Sequence, residues 1–196
     1  MKTTILSPTD YAVSNWSGGE TTEVFLFPPD GDYGKRQFDY RLSTAKVLLP
    51  ESEFTDLPGY QRIIMSLDNP LELHHRSVKG SRIEQLKAFE TGYFSGEDKT
   101  KSFGQCQDFN LIYLPSYQGN MFPKYNKNVT LLETNVTYIY YALEETKCLI
   151  LEQNKSEIVL NPKETLILTD ITTTNRITFF SEMEDSLPCV IEVSIR

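Results

Sequence analysis

The chain is poor in histidine, and this shortage limits the chemistry that it can perform. Its 196 residues contain only two histidines, His74 and His75, which are adjacent. Adjacent residues of a strand point to opposite faces, so at most one of the two faces an interior. A protein metal site needs three or four converging ligands. The sequence therefore predicts no metal site and no cofactor, and it offers little for a histidine general base.

Cysteine is also scarce. Cys106, Cys148 and Cys189 are odd in number and widely spaced, which is typical of reduced cysteines in a cytoplasmic protein. A nucleophilic cysteine needs a nearby base, and the sequence places neither histidine next to Cys106. We therefore interpret Cys106 as a small apolar side chain.

Basic residues are fewer than acidic ones. The chain has 19 Lys plus Arg against 27 Asp plus Glu, which gives a net charge of −8. An acidic chain repels phosphate backbones, so we expect no nucleic-acid partner. No apolar run approaches the roughly 20 residues of a membrane helix, and Met1–Asp10 lacks the apolar segment of a signal peptide. We expect a cytoplasmic protein that does not bind membranes.

Short β-favouring segments, by contrast, are abundant, and Phe and Tyr contribute 11 residues each. These segments alternate with turn residues, which predicts a single all-β domain over residues 1–196, an antiparallel sandwich or barrel with very little helix. A short helical turn is predicted at Glu53–Leu57, and long loops at Gly92–Gly104 and Pro115–Lys127. The predicted strands are Thr21–Phe27, Phe38–Leu49, Tyr60–Leu67, Leu71–His75, Arg82–Phe89, Gln107–Leu114, Val129–Leu132, Thr137–Leu143, Lys147–Gln153, Glu157–Leu160, Thr165–Thr169, Arg176–Phe180 and Cys189–Ile195.

Two polar residues interrupt the apolar strand that precedes Pro115. Asp108 and Asn110 lie two residues apart, so they share one face of the strand with Ile112. Two polar groups on one face of a largely apolar strand either contact solvent or line a polar cavity.

Two other predicted strands carry arginine in the same alternation. Asp39, Arg41 and Ser43 share one face of their strand, and Arg62 shares a face of its strand with Ile64. If these faces converge with that of the Asp108 strand, they form a pocket with two guanidinium groups. The planar fork of arginine suits a carboxylate, so a small polar or carboxylate metabolite is the expected ligand.

A structural interpretation of the same residues stays open. Arg41 and Asp108 could form an ion pair in the interior, completed by Asp39 or Asn110, because buried charges need partners. A neighbouring arginine would hold Asp108 ionised, which argues against Asp108 as a free catalytic base. No catalytic residue is assigned. The candidate ligand-binding residues are Trp16, Asp39, Arg41, Ser43, Arg62, Asp108 and Asn110.

Trp16 stands before Gly18 and Gly19, which allow a tight turn or a close approach of two backbone segments. Two interpretations of Trp16 remain. It forms an apolar wall of the pocket, or it packs in the core beside a turn that precedes the first strand.

Five segments, in order, resemble the HutD/Ves family. They are Trp16–Thr21 (WSGGET), Phe38–Ala45 (FDYRLSTA), Phe54–Arg62 (FTDLPGYQR), Phe94–Glu97 (FSGE) and Asp108–Ile112 (DFNLI). The resemblance implies a cupin-like, RmlC-like jelly roll, with room for two similar halves as in a bicupin. It also implies a role in sensing or binding a small catabolite, near histidine catabolism or a stress response. The chain departs from the family pattern at Ser17, Tyr40 and Gln61, where the family usually has Asn, Trp and Asp.

Three functions remain open on this basis. The first is a non-enzymatic module that binds a small carboxylate metabolite and regulates catabolism. The second is a metal-independent lyase or isomerase that uses Asp39 or Asp108 as a general base. The third is a structural or interaction protein with a filled barrel, which forms a homodimer through an exposed sheet face or edge.

Overall fold

The chain is built from antiparallel β-strands arranged in two compact units. The computed structural model describes residues 1–151, 156–182 and 184–196, and the last two residues of the predicted strand Lys147–Gln153 lie outside them. The N-terminal unit comprises Tyr11–Tyr117, and the C-terminal unit comprises Met1–Asp10 together with Gln118–Arg196. The all-β prediction is confirmed, and the single-domain assignment stays a prediction.

Two sheets form the N-terminal unit. Its strands are β2 (Ala12–Trp16), β3 (Gly19–Phe27), β4 (Tyr40–Val47), β5 (Glu51–Glu53), β6 (Gln61–Ser66), β7 (Leu71–Ser77), β8 (Gly80–Leu86), β9 (Thr91–Ser95), β10 (Lys99–Phe103) and β11 (Gln107–Tyr113). One sheet has six strands in the order β2-β3-β4-β11-β6-β9, and the other has four in the order β5-β10-β7-β8.

The core of this unit lies between its two sheets. Ile64 and Phe94 from the six-stranded sheet pack with Leu71, Leu73 and Leu86 from the four-stranded sheet. Burial alternates along β7, as expected for a strand with one face toward the core. The two sheets therefore form a sandwich of the jelly-roll type and not one closed sheet within the described residues.

The C-terminal unit has the same two-sheet construction. Its strands are β1 (Lys2–Leu6), β12 (Gly119–Tyr125), β13 (Val129–Leu132), β14 (Thr137–Ala142), β15 (Thr146–Leu151), β16 (Ser156–Leu160), β17 (Thr165–Thr169), β18 (Asn175–Phe180) and β19 (Pro188–Ile195). Five strands pair in the order β1-β17-β14-β19-β12, and four in the order β13-β18-β15-β16. Tyr140, Leu166 and Val190 from the first sheet pack against Cys148 and Phe179 from the second.

Helix is nearly absent from the described residues. The only helical element among them is a 3-10 turn at Pro8–Asp10, and no helix there is long and apolar enough to cross a membrane. The predicted helical turn at Glu53–Leu57 is wrong. Glu53 ends β5 and pairs with Lys101, and the Phe54 amide donates to the Thr100 carbonyl at 2.9 Å. Pairing with β10 therefore replaces the helical hydrogen bonds.

Both predicted long loops are also wrong. Gly92–Gly104 contains most of β9 and all of β10, and Pro115–Lys127 contains β12. β10 reads Lys-Thr-Lys-Ser-Phe, and its buried positions are the small polar residues Thr100 and Ser102. β12 contains Pro123 and lies at the edge of its sheet, where proline is tolerated because one side of the strand is unpaired. Neither segment has the apolar alternation by which strands are usually recognised.

Candidate functional site

The candidate site lies on the three central strands of the six-stranded sheet, β4, β11 and β6. β11 runs between the other two, and its residue Ile112 is directly opposite Arg41 on one side and Arg62 on the other. Asn110 is likewise opposite Ser43 and Ile64. Directly opposed residues of antiparallel strands share a face. The register therefore places both arginines on the face that carries Asp108 and Asn110.

A cavity of about 340 Å³ opens on this face. Six of the seven candidate residues line it, namely Trp16, Arg41, Ser43, Arg62, Asp108 and Asn110. The remaining lining residues are Ser14, Thr21, Tyr33, Ala45, Val47, Ser52, Glu53, Phe54, Thr55 and Ile112. The N-terminal unit is therefore not filled, although the third of the open hypotheses required a filled interior.

Asp39 is the candidate residue that does not line the cavity. β4 begins one residue later, at Tyr40, and the Asp39 backbone amide donates to the Phe27 carbonyl at 2.7 Å. Its carboxylate accepts a hydrogen bond of 2.8 Å from the Tyr117 hydroxyl. The structure therefore does not bring Asp39 together with the other six candidate residues, and its role in ligand binding stays a prediction.

Arg41 is held in place by three contacts. Its Nε donates to Glu23 Oε2 at 2.6 Å, its Nη1 donates to Ser43 Oγ at 3.0 Å, and its guanidinium carbon lies 4.1 Å from the centre of the Tyr33 ring. The partner of Arg41 is thus Glu23 and not Asp108. The suggested ion pair between Arg41 and Asp108 is absent from the described structure.

Arg62 is buried without a carboxylate partner. Only 6% of its surface is exposed, and none of the described Asp and Glu side chains lies within ion-pair distance of it. Nη1 donates to the Thr55 carbonyl at 3.2 Å, and the guanidinium lies over the rings of Phe54 and Phe94 at 4.6 and 5.0 Å. Burial lowers the pKa of Arg62 to about 10, so the group remains cationic at neutral pH. Nε has no hydrogen-bond partner within the described part of the chain.

Asp108 and Asn110 form a buried pair beside Arg62. Asn110 Nδ2 donates to Asp108 Oδ1. Burial raises the pKa of Asp108 to about 7, and the opposing effects of Arg62, the Ala45 amide and Asn110 do not offset it. The expectation that an arginine holds Asp108 ionised is therefore wrong, because desolvation outweighs the attraction to Arg62.

Trp16 forms part of the cavity wall and is 39% exposed, so its assignment to the core is wrong. It ends β2, and the turn to β3 contains Ser17 and Gly18. A Cβ atom at Gly18 would overlap the indole ring of Trp16. Glycine at this position is thus what allows the ring to fold back over the hairpin.

Three contributors to the site were missed from the sequence. Glu23 lies on β3, which carries a β-bulge between Glu23 and Phe25, and the bulge sets the position of Glu23 beside Arg41. Tyr33 and Phe54 lie between strands and have no periodic signal. Strand alternation could have indicated Glu23 through its opposition to Ser43, but it could not indicate the other two.

The comparisons with known proteins place the chain in a family. The family model described as HutD matches residues 8–182. This chain belongs to the HutD family. A search of the curated proteins gave no significant match.

Solved structures similar to this HutD-family chain share its fold. HutD from Pseudomonas fluorescens SBW25, determined in a formate condition, is 19% identical with a TM-score of 0.75, and the match covers 99% of this chain and 98% of that one. A conserved protein of unknown function from Pseudomonas aeruginosa PAO1 is 22% identical, with a TM-score of 0.78 and coverage of 100% and 98%. Oxalate decarboxylase from Lactobacillus farciminis, in a formate complex, is 7% identical, with a TM-score of 0.63 and coverage of 97% and 85%. The cupin-like fold class is therefore confirmed.

The described residues do not suit a cupin-type metal. No three His, Cys, Asp or Glu side chains lie close enough together within them to hold an ion. His74 Nε2 lies 2.6 Å from Glu72, whereas His75 is buried on the opposite face with Nδ1 at 3.0 Å from the Thr100 hydroxyl. The two histidines therefore face opposite sides of β7.

Proposed function

We propose that this HutD-family chain is a non-enzymatic protein that binds a small carboxylate metabolite in the cavity of its N-terminal unit. The observation that carries the proposal is the state of Arg62. It is a buried cation on the cavity wall, and no described carboxylate neutralises it. An uncompensated buried charge costs several kcal/mol, and an anionic ligand would remove that cost. The planar guanidinium also matches a carboxylate in shape.

The two arginines have different tasks in this proposal. Glu23 already neutralises the charge of Arg41. Arg41 therefore serves mainly to shape the cavity and to donate hydrogen bonds to a ligand, without adding net charge. Arg62 supplies the net charge. We therefore expect an anion to contact Arg62 first, between the aromatic wall of Phe54 and the polar pair Asp108 and Asn110.

The family supports a biological setting for this binding. The name HutD and the expected link to histidine utilisation make breakdown products of amino acids the first ligands to test. One similar structure is a formate complex and another was determined in a formate condition, which supports small carboxylates as the first class to test. We propose a regulatory role in catabolism, or in a stress response, and location in the cytoplasm, which is in keeping with the three cysteines that form no disulfide.

Calorimetric titration with a panel of small carboxylates tests the binding. We expect wild-type protein to bind at least one member, and Arg62→Gln to weaken that binding by about tenfold to a hundredfold, the range for a buried charge-assisted hydrogen bond. Arg176→Gln is the matched control, because Arg176 lies exposed on β18 of the other unit. Equal loss in both variants, or undiminished binding by Arg62→Gln, would contradict the proposal.

One observation favours a second function. Asp108 has a pKa of about 7 and lies in a cavity, which suits a general base near neutral pH. A metal-independent lyase or isomerase would therefore use Asp108. Turnover of a keto-acid or sugar substrate that Asp108→Asn abolishes, with binding retained, would establish this alternative over simple binding.

A further inference from the structure

Two buried polar atoms on the wall of the proposed ligand cavity have opposite hydrogen-bonding character. Arg62 Nε is a donor and Asn110 Oδ1 is an acceptor, and neither has a partner among the residues that the structure describes. Both side chains are 6% exposed, and both line the same cavity. Buried polar groups in folded proteins nearly always have partners, so a pair of unsatisfied atoms in one cavity indicates what a ligand supplies.

The orientation of the Asn110 amide follows from its neighbour. Above about pH 7 the carboxyl of Asp108 is ionised and only accepts hydrogen bonds, so the amide nitrogen of Asn110 faces Asp108, as it does in the structure. The amide oxygen is then left without a donor. Asp108 thereby converts Asn110 into an acceptor site, and no described side chain provides the N–H or O–H group that this oxygen needs.

A carboxylate alone does not satisfy both atoms. It can accept from Arg62 Nε, but it has no hydrogen to donate to Asn110 Oδ1. A carboxamide has a carbonyl acceptor and an N–H donor on the same carbon. A carboxamide can therefore satisfy both atoms, whereas a carboxylate can satisfy only Arg62 Nε.

We propose that the ligand of this cavity carries an N–H donor next to a carbonyl acceptor in addition to its carboxylate, so that it contacts Asn110 Oδ1 and the guanidinium of Arg62 together. This inference rests on the proposed function, and it narrows the ligand class to carboxylates that bear an amide. The specificity comes from Asn110, whose unpaired acceptor disfavours ligands without a donor.

Succinamate and levulinate provide a matched pair of probes. They share the carboxylate, the two-carbon chain and a carbonyl oxygen, and they differ in that the amide NH2 group of succinamate takes the place of the methyl group of levulinate. The titrations are made at about pH 8, above the pKa of Asp108, so that Asp108 is ionised. We expect wild-type protein to bind succinamate about tenfold more tightly than levulinate, which is the factor expected for one hydrogen bond of ordinary strength.

Asn110→Leu removes the acceptor while keeping the shape of the side chain, and we expect it to bind the two probes equally. Equal binding by wild-type protein, with both affinities dependent on Arg62, would overturn the inference and leave the proposed function intact. Arg62-dependent binding of succinate without binding of succinamate would also overturn it. If neither these probes nor any member of the carboxylate panel binds, the proposed function itself fails. The wild-type comparison requires no variant, so it holds even if Asn110→Leu does not fold.

Discussion

Burial controls the ionisation of the residues in the cavity more strongly than their neighbours do. Asp108 lies close to Arg62, and a simple rule of opposite charges would lower the pKa of its carboxyl. The pKa is instead raised to about 7, because removing the carboxylate from water costs more than the nearby cation returns. Alternation along each strand predicted which side chains share a face, but the depth at which those side chains are buried sets their charge, and that depth depends on the whole sheet.

The raised pKa of Asp108 predicts a loss of stability at high pH. The folded carboxyl holds its proton up to about pH 7, whereas the unfolded one keeps the ordinary value of 3.8. The contribution of Asp108 to the free energy of unfolding should therefore be highest below about pH 4. It should fall as the pH rises from about 4 to about 7, by at most roughly 4 kcal/mol in total, and level off above that range. Urea unfolding of wild type and Asp108→Asn across this range measures the effect.

Comparison of wild type with Asp108→Asn removes the contributions of other titrating groups to the pH dependence of stability. Burial lowers the pKa of His75, which acts in the opposite direction by favouring the folded state as pH rises toward 6.5. Both proteins contain His75, so the difference between their curves isolates Asp108. We expect the free energy of unfolding of Asp108→Asn to increase relative to that of wild type as the pH rises. Curves that stay parallel would show that Asp108 does not titrate in this range.

At the scale of strands, alternation predicted the site, and pairing decided its details. The shared face of Arg41 and Ser43, and that of Asp108 and Asn110, follow from a period of two. The register that aligns these faces across β4, β11 and β6 could not be read from any one segment. The bulge that brings Glu23 to Arg41 is likewise a property of two strands together. Edge strands such as β12 escaped prediction because their partners, and not their composition, make them strands.

The hairpin of β2 and β3 yields a prediction about the cavity wall. A Cβ atom at Gly18 would overlap the Trp16 ring, so Gly18→Ala should move the indole into water. Trp16 is the only tryptophan of the chain, so its fluorescence reports the change directly. We expect a shift of the emission to longer wavelength, with a loss of stability below about 1 kcal/mol because Trp16 and Ser17, the neighbours of Gly18 in this turn, are exposed.

Ser17→Ala is the matched control for this experiment, since Ser17 is exposed in the same turn and already carries a Cβ atom. Its emission should equal that of wild type. An unchanged spectrum for Gly18→Ala would mean that the ring does not depend on glycine for its position.

At the scale of the whole molecule, all three thiols lie inside. Cys106 is buried in the N-terminal unit, and Cys148 and Cys189 are buried in the C-terminal unit. Burial raises the pKa of each thiol, to about 12 for Cys106 and Cys148 and to about 11 for Cys189. A thiolate is the reactive form, so these side chains should be inert in the native state.

A colorimetric thiol reagent tests this expectation in both units at once. The thiols of native protein should react slowly, at a rate set by opening of the fold. Protein unfolded in urea should react rapidly and release about three equivalents of the coloured product per chain. Rapid reaction of one thiol in native protein would show that one unit opens more readily than the burial indicates. The homodimer stays a prediction, and sedimentation analysis would measure it.

The discontinuous make-up of the C-terminal unit has a consequence for the order of events on the ribosome. All strands of the N-terminal unit have been synthesised by Tyr117, so this unit has its complete set of partners early. β1, by contrast, pairs with β17, and β19 lies between β14 and β12. β1 is therefore synthesised before the N-terminal unit but waits for β17, so the cavity of the N-terminal unit can form while the five-stranded sheet is still incomplete.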